Sequence, residues 1–227
     1  MNYINTLKRI RLKKTNYRKR ASLLLSKKLF ITIKVSNQNI ISQILEPVIS
    51  GDQVLVSIHS KNLVNFGWKG SLNSIPACYL TGYLLSKKAK NSKNINETIL
   101  YLGKNSYTEK VASCLKGIID GGINIPSSSE SFPDDERITG KHISDYALLL
   151  KSSPEKYNKI FATILSNGLK PEEYPNHFNE IKEIIDKTDF SKLNSNKTST
   201  KSEKTIGKES EDNIKPKKDQ VMEDNTN

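Results

Sequence analysis

Residues 29–59 read LFITIKVSNQNIISQILEPVISGDQVLVSIH, and this stretch decides the fold. Over residues 29–36, Leu, Ile, Ile and Val alternate with other side chains, which is the period of a strand with one buried face. The polar residues 37–39 and 50–52 supply turns, so residues 40–46 and 53–59 are predicted as a second and a third strand. Three short strands joined by tight turns predict an antiparallel meander.

Helical signals follow the meander. A helix is predicted from near Ser74 to Lys90, with Pro76 in its first turn. Residues 97–103 then predict a fourth strand, which a crossover helix makes parallel to its neighbour. Further helices are predicted from their caps and apolar spacing over residues 109–120, 154–167 and 175–187.

These elements are the parts of an α/β, ribonuclease-H-like domain with a basic N-terminal arm and C-terminal helices. The predicted boundaries are residues 1–28 for the arm, 29–125 for the α/β core and 126–190 for an irregular segment with the C-terminal helices. Residues 191–227 contain no aromatic side chain and are dominated by polar and charged residues. Such a segment buries too little apolar surface to offset its ordering entropy, and it is predicted to be a disordered tail.

Positive charge is concentrated at the N-terminus. The chain has 36 basic and 24 acidic residues, yet the first 45 residues hold 11 basic side chains and no acidic one. The remainder, with 25 basic and 24 acidic residues, is close to neutral. Such an arm attracts polyanions and releases their counterions on binding.

Arginine usage indicates the kind of polyanion. Four of the five arginines lie in the first 20 residues, at Arg9, Arg11, Arg18 and Arg20. A guanidinium binds phosphate in a bidentate manner and stacks on bases, which an ammonium does not. Tyr17 among these cations offers a stacking face for unpaired bases, although it could equally pack the arm on the body. RNA or DNA is therefore favoured over an acidic protein, with a solvated basic tail or a localisation signal as the alternative.

Signals for catalysis and cofactors are weak. Ribonuclease-H-like nucleases hold metal ions with carboxylates, one of them on the first strand, and residues 29–36 contain no acid. The acidic run 134–136 is expected to be solvated or paired with cations such as Arg137 or Lys141. The three histidines lack ligand spacing, so we predict no enzyme activity, metal or cofactor. Trp68 is expected to pack in the core with Lys69 reaching outward.

The two cysteines and the hydropathy suggest a compartment. Cys78 and Cys114 lie in apolar, helix-like stretches and are predicted to be buried thiols of a cytosolic protein. No apolar run reaches the roughly 20 residues that span a bilayer, and the first residues lack a secretory h-region. We therefore expect a cytoplasmic protein without a membrane partner.

A series of short strings, in order, carries a family resemblance. The most specific are GWKG at 67–70, YLTG at 79–82 and DERITGKHI at 135–143, and others include TNYRKR at 15–20 and DGG at 120–122. From about Lys13 to Ile143 the chain resembles the archaeal and eukaryotic type of large-subunit ribosomal protein eighteen. Two stretches depart from the family pattern, at residues 28–30 and 107–110, and the latter puts RNA contacts there in doubt.

The resemblance implies a structural constituent of the large ribosomal subunit. Family members bind 5S rRNA and attach it to the large-subunit rRNA in the central protuberance, beside a neighbouring 5S-binding ribosomal protein, as monomers within the ribosome. The resemblance implies RNA contacts at Arg9, Arg11, Lys13, Lys14, Tyr17, Arg18 and Arg20. Plausible additions are Lys27, Lys28, Lys34, Asn37 and Lys69. A metal-dependent ribonuclease-H-like nuclease and a free-standing RNA-binding regulator remain alternatives.

Overall fold

The computed structural model describes residues 8–12, 14–48, 50–93, 95–188 and 190. These lie in one compact unit, residues 1–191. The predicted disordered tail, 191–227, lies outside the described residues, and the predicted boundaries at residues 28 and 125 stay predictions.

Four strands form one mixed sheet in the order β3-β2-β1-β4. The strands are β1 (Leu29–Val35), β2 (Ile40–Glu46), β3 (Gln53–His59) and β4 (Thr98–Leu100). β1 pairs antiparallel with β2, and β2 with β3, which confirms the predicted meander. β4 pairs parallel with β1 after a crossover, also as predicted. The α/β class is confirmed, while the finer ribonuclease-H-like assignment stays a prediction.

Nine α-helices are present in the part of the chain that the structure describes. They are α1 (Lys8–Arg11), α2 (Tyr17–Leu24), α3 (Ile75–Lys93), α4 (Glu109–Asp120), α5 (Asp135–Thr139), α6 (Lys141–Leu150), α7 (Pro154–Ile160), α8 (Ala162–Ser166) and α9 (Tyr174–Lys187). A 3-10 helix, Ser60–Phe66, follows β3.

Helices α3 and α4 cover one face of the sheet. Ile31 and Ile33 of β1 point to this face and are buried, together with Ile44 of β2. Because side chains alternate along a strand, Thr32 and Lys34 point to the opposite face. The arm helices lie at that opposite face, where Arg9 and Arg20 line a groove together with Thr32 and Lys34.

The C-terminal helix α9 packs against α3 and the 3-10 helix and covers part of the core. Tyr174, Phe178 and Ile181 of α9 are buried. Trp68, 3% exposed, packs edge-on against Tyr174 with ring centroids 5.5 Å apart. The prediction that the Trp68 ring packs in the core is confirmed, and Lys69 beside it is exposed.

Two predicted elements are wrong in their extent. The fourth strand was expected over residues 97–103 but covers only Thr98–Leu100, the three residues that pair with β1. The single helix expected over residues 154–167 is two helices, since Phe161 between α7 and α8 has ψ near 13° and leaves the helical path.

Candidate nucleic-acid interface

The basic arm forms two short helices with a defined local structure. Asn16 is the N-terminal cap of α2, and its side chain accepts a hydrogen bond from the Lys19 amide at 3.0 Å. An amide oxygen at this position satisfies one of the donors that a helix start leaves unpaired. Between the helices, Arg9 Nε donates to Thr15 Oγ1 at 2.9 Å. The arm therefore has local order despite its uniform charge.

One side chain of α2 ties the arm to the body. The Arg20 guanidinium binds both carboxylate oxygens of Asp52, with Nη1 to Oδ2 at 2.9 Å and a second bond from Nη2 to Oδ1. The guanidinium carbon also lies 5.9 Å from the ring centroid of Phe30 and 5.5 Å from that of Tyr101. We call this arrangement the Arg20–Asp52 clasp.

The clasp is partly shielded from water. The side chain of Arg20 is 19% exposed and that of Asp52 is 25% exposed. The hydrogen bonds to Asp52 raise the pKa of Arg20 above its usual value. A partly buried bidentate pair resting on aromatic rings is stronger than a solvated surface ion pair.

A groove of about 1010 Å³ runs between the arm and the open face of the sheet. We call it the arm groove. Five basic residues line it, and they are Arg9, Lys14, Arg20, Lys34 and Lys104. Asp52 is the only acidic residue among its described lining residues, and both of its oxygens are bound by Arg20. The groove is therefore a positively charged channel.

Several of the predicted RNA-binding residues meet in this groove. Arg9, Lys14, Tyr17, Arg20 and Lys34 all line it, although Lys34 comes from β1 and the other four from the arm. The Tyr17 side chain at the start of α2 is 37% exposed. An aromatic ring and cations thus share one channel.

Other predicted residues lie elsewhere. Arg11 and Arg18 are exposed on α1 and α2 without lining the groove, and Lys13 lies outside the described residues. Lys28 pairs with Glu97 at 2.7 Å, and this bond lowers the pKa of Glu97. Lys27 is exposed with a φ of 54°.

The remaining two predicted residues lie near the loop before α3. The Asn37 carbonyl accepts a hydrogen bond from Asn73 Nδ2 at 2.8 Å. The backbone of Lys69 is held by C-terminal residues, because its amide donates to His177 Nε2 at 3.1 Å and its carbonyl accepts from Asn167. Neither Asn37 nor Lys69 lines the arm groove.

Sequence reasoning missed the groove residues that follow β4. Tyr101, Lys104 and Asn105, in the loop after β4, line the arm groove. They reach the groove because β4 pairs parallel with β1, so the loop that follows β4 lies near the end of β1 that carries Lys34. The predicted parallel fourth strand could have indicated this, because a strand in that place brings Lys104 near the arm.

Carboxylates and histidines form no candidate metal centre within the described residues. In the acidic run after the core, Asp135 pairs with Lys116 and Glu136 with Lys141. The expected pairing with Lys141 is confirmed, whereas Arg137 pairs instead with Glu109 at 2.9 Å. Among the described strands Glu46 is the only acidic residue.

Both cysteines lie in the hydrophobic core. Cys78 and Cys114 are fully buried, and burial raises the pKa of the Cys114 thiol to about 12. Their predicted burial is confirmed. Of the helices in the described ranges, none combines the length and apolar character needed to cross a bilayer.

A comparison with protein families adds independent information. Residues 2–106 match the family described as ribosomal large subunit proteins 60S L5 and 50S L18. The matched range contains both arm helices, the whole sheet and α3. It also contains every lining residue of the arm groove, which run from Arg9 to Asn105.

Proposed function

We propose that the chain, whose residues 2–106 match the family of ribosomal large-subunit proteins 60S L5 and 50S L18, binds 5S rRNA. The family is structural rather than enzymatic, and its members are components of the large ribosomal subunit. In our proposal the chain attaches 5S rRNA to the large-subunit rRNA in the central protuberance. It does so as a cytoplasmic monomer within the ribosome, beside another 5S-binding ribosomal protein.

The arm groove is the observation that carries this proposal. Its five basic residues come from the arm, from β1 and from the loop after β4, so three separate segments present charge to one channel. Each phosphate neutralised by such cations releases counterions, which drives association with RNA. We propose Arg9, Lys14, Lys34 and Lys104 as phosphate contacts, with Arg11 and Arg18 extending the surface along the arm.

An aromatic side chain in the arm groove favours unpaired RNA over a regular duplex. The ring of Tyr17 lines the groove and is exposed, so it offers unstacked bases a stacking surface beside the cations. We propose that the groove holds an irregular or unpaired part of the RNA.

A gel-shift titration tests the proposal directly. The protein is titrated with 5S rRNA and with an unrelated RNA of matched length, at several salt concentrations. We expect a preference for 5S rRNA that persists as salt rises. If six to eight cations meet phosphates, log affinity falls with log salt at a slope of about −4 to −7. Equal binding of both RNAs, or a slope near −1, would contradict the proposal.

A single lysine in the groove provides the matched variant. Lys34→Ala should weaken 5S rRNA binding several-fold and reduce the magnitude of the salt slope by about 0.7–0.9, the share of one phosphate contact. Lys159→Ala, at an exposed position of α7 outside the groove, removes the same charge and should leave both quantities unchanged. Equal effects of the two variants would show that only net charge matters.

A further inference from the structure

Helix α2 is held against the body with little help from apolar burial. It has eight residues, and none of them is buried. Leu24 at its end is 39% exposed, and the following Leu25 is 83% exposed. An isolated helix of this length is marginal in water, so α2 needs a tertiary anchor to keep its place.

The clasp is that anchor. The described residues of the arm are joined to the body by two ion pairs, Arg20–Asp52 and Lys28–Glu97, and only the first starts from a helix. Lys28 lies beyond the end of α2, at the entry to β1. Arg20 also rests on two rings, Phe30 of β1 and Tyr101 after β4. Three segments of the chain therefore converge on the guanidinium that α2 supplies.

We infer that Asp52 is a positioning residue for RNA binding, which it strengthens although its charge repels phosphate. This inference rests on the proposed function. Asp52 fixes Arg20, Arg20 fixes α2, and α2 forms one wall of the arm groove before RNA arrives. Arg20 then acts as the anchor of the arm and not as a phosphate contact, unlike the role that the sequence predicted for it.

The two possible roles of Asp52 have opposite signs. If Asp52 were only an acid in a polyanion-binding channel, its removal would strengthen RNA binding. If the clasp holds the groove in its binding form, removal leaves the arm in that form for only a fraction of the time. The apparent affinity is then the affinity of the ordered form multiplied by that fraction, because RNA must order the arm as it binds.

The test compares two variants that each remove one acidic charge. Asp52→Asn should weaken 5S rRNA binding by about tenfold. Glu97→Gln removes an acid that pairs with Lys28 outside the groove, and should leave affinity unchanged or slightly increased. Asp52→Glu keeps a carboxylate for Arg20 and should restore most of the wild-type affinity. Arg20→Lys keeps the charge but loses the bidentate bond, and should weaken binding as Asp52→Asn does.

Two further readouts separate positioning from contact or from general damage. The salt slope should stay at its wild-type value in Asp52→Asn and Arg20→Lys, since neither variant removes a phosphate contact. In the free protein, limited trypsin digestion should cleave the arm several-fold faster in Asp52→Asn than in wild type or Glu97→Gln. The melting temperature should change little, because the clasp lies outside the hydrophobic core.

Each outcome has a distinct meaning. If wild type prefers 5S rRNA while Asp52→Asn binds as tightly or more tightly, the clasp inference is wrong and the proposed function stands. Unchanged digestion of the arm in free Asp52→Asn would overturn the inference by itself. If wild type shows no preference for 5S rRNA, the proposed function fails, and the digestion result still decides whether the clasp holds the arm.

Discussion

Two arginines in the same turn of α2 have different surroundings. Arg18 is exposed, while Arg20 binds Asp52 and lies over two aromatic rings. The family resemblance implied both as RNA contacts. The partner of Arg20 lies 32 residues further along the chain, so local sequence contained no sign of it. The sequence indicated which residues carry charge, but it could not indicate which of those charges are already paired.

His177 shows how a single buried side chain links distant parts of the core. Its ring stacks on Trp68 with centroids 5.2 Å apart and planes 18° apart. Its Nε2 accepts a hydrogen bond from the Lys69 amide, and Glu180 lies 3.8 Å from Nδ1. Burial is the main reason that the pKa of His177 is lowered, and the positive charge of Lys69 adds to it, against the opposing effect of Glu180.

This environment predicts a dependence of stability on pH. Because the pKa of His177 is lower in the folded protein than the ordinary value of 6.5, the unfolded state binds protons first as pH falls. The stability present above pH 6.5 is therefore lost progressively below it. Urea unfolding at pH 7.5 and 5.5 should show this loss, and the loss should be smaller in His177→Gln. His142, whose pKa burial also lowers, contributes equally in both proteins. An identical loss in the two proteins would contradict the prediction.

At the scale of elements, α3 and α4 pack at unusually close range. A Cβ on Gly82 of α3 would overlap the carbonyl oxygen of Cys114, and one on Gly117 of α4 would overlap that of Tyr79. These glycines therefore let two backbones approach in a way that no other residue allows. The close approach of the two helices therefore accounts for both glycines, including Gly82 of the YLTG string.

Substitution of Gly82 tests this packing. Gly82→Ala should lower the free energy of unfolding by about 2–4 kcal/mol, because backbone atoms must move apart. Gly168→Ala is the control, since a Cβ there meets no atom within 4 Å and the cost comes only from its φ of 72°. That cost is about 1 kcal/mol. Chemical denaturation measures both, and a Gly82→Ala loss no larger than the control would show that the helices can separate freely.

Elements with strong local signals were predicted closely from sequence. The second and third strands have the predicted bounds, because alternation and turn residues agree there. The fourth strand is shorter than predicted, since its length depends on pairing with β1 and not on its own residues. The helix break at Phe161 was missed because the apolar spacing continues across it, while the ring turns to contact Tyr146 and Tyr157.

At the scale of the whole molecule, charge is separated by position in the chain. The N-terminal arm has a large positive excess, whereas residues 191–227 carry eight basic and seven acidic residues. A segment with balanced charge adds little to the long-range attraction of a polyanion. The groove, in contrast, is formed by arm, sheet and loop residues up to position 105.

Truncation after Phe190 tests this division of roles. The shortened protein should bind 5S rRNA within about twofold of the full chain and with the same salt slope. Its melting temperature should also be preserved, since the core described above ends with α9 and Phe190. A large loss of affinity in the gel shift would show that the tail takes part in RNA binding.

The site was predictable from sequence only in outline. Composition located the charge and strand periodicity located the sheet face that carries Lys34. The groove itself depends on tertiary contacts, because Lys104 and Tyr101 approach the arm only when β4 pairs with β1. The sequence predicted a parallel fourth strand but did not identify the neighbour with which it pairs, and that pairing places the loop after β4 at the groove.

The separation of the clasp partners along the chain also has a consequence for biosynthesis. Arg20 is made 32 residues before Asp52 and about 80 residues before Tyr101. At roughly 5–20 residues per second, translation leaves the arm without its carboxylate partner for about 2–6 s and without its second ring for about 4–16 s. A newly made chain therefore passes through a stage in which the most basic segment is exposed before anything in the protein can dock it.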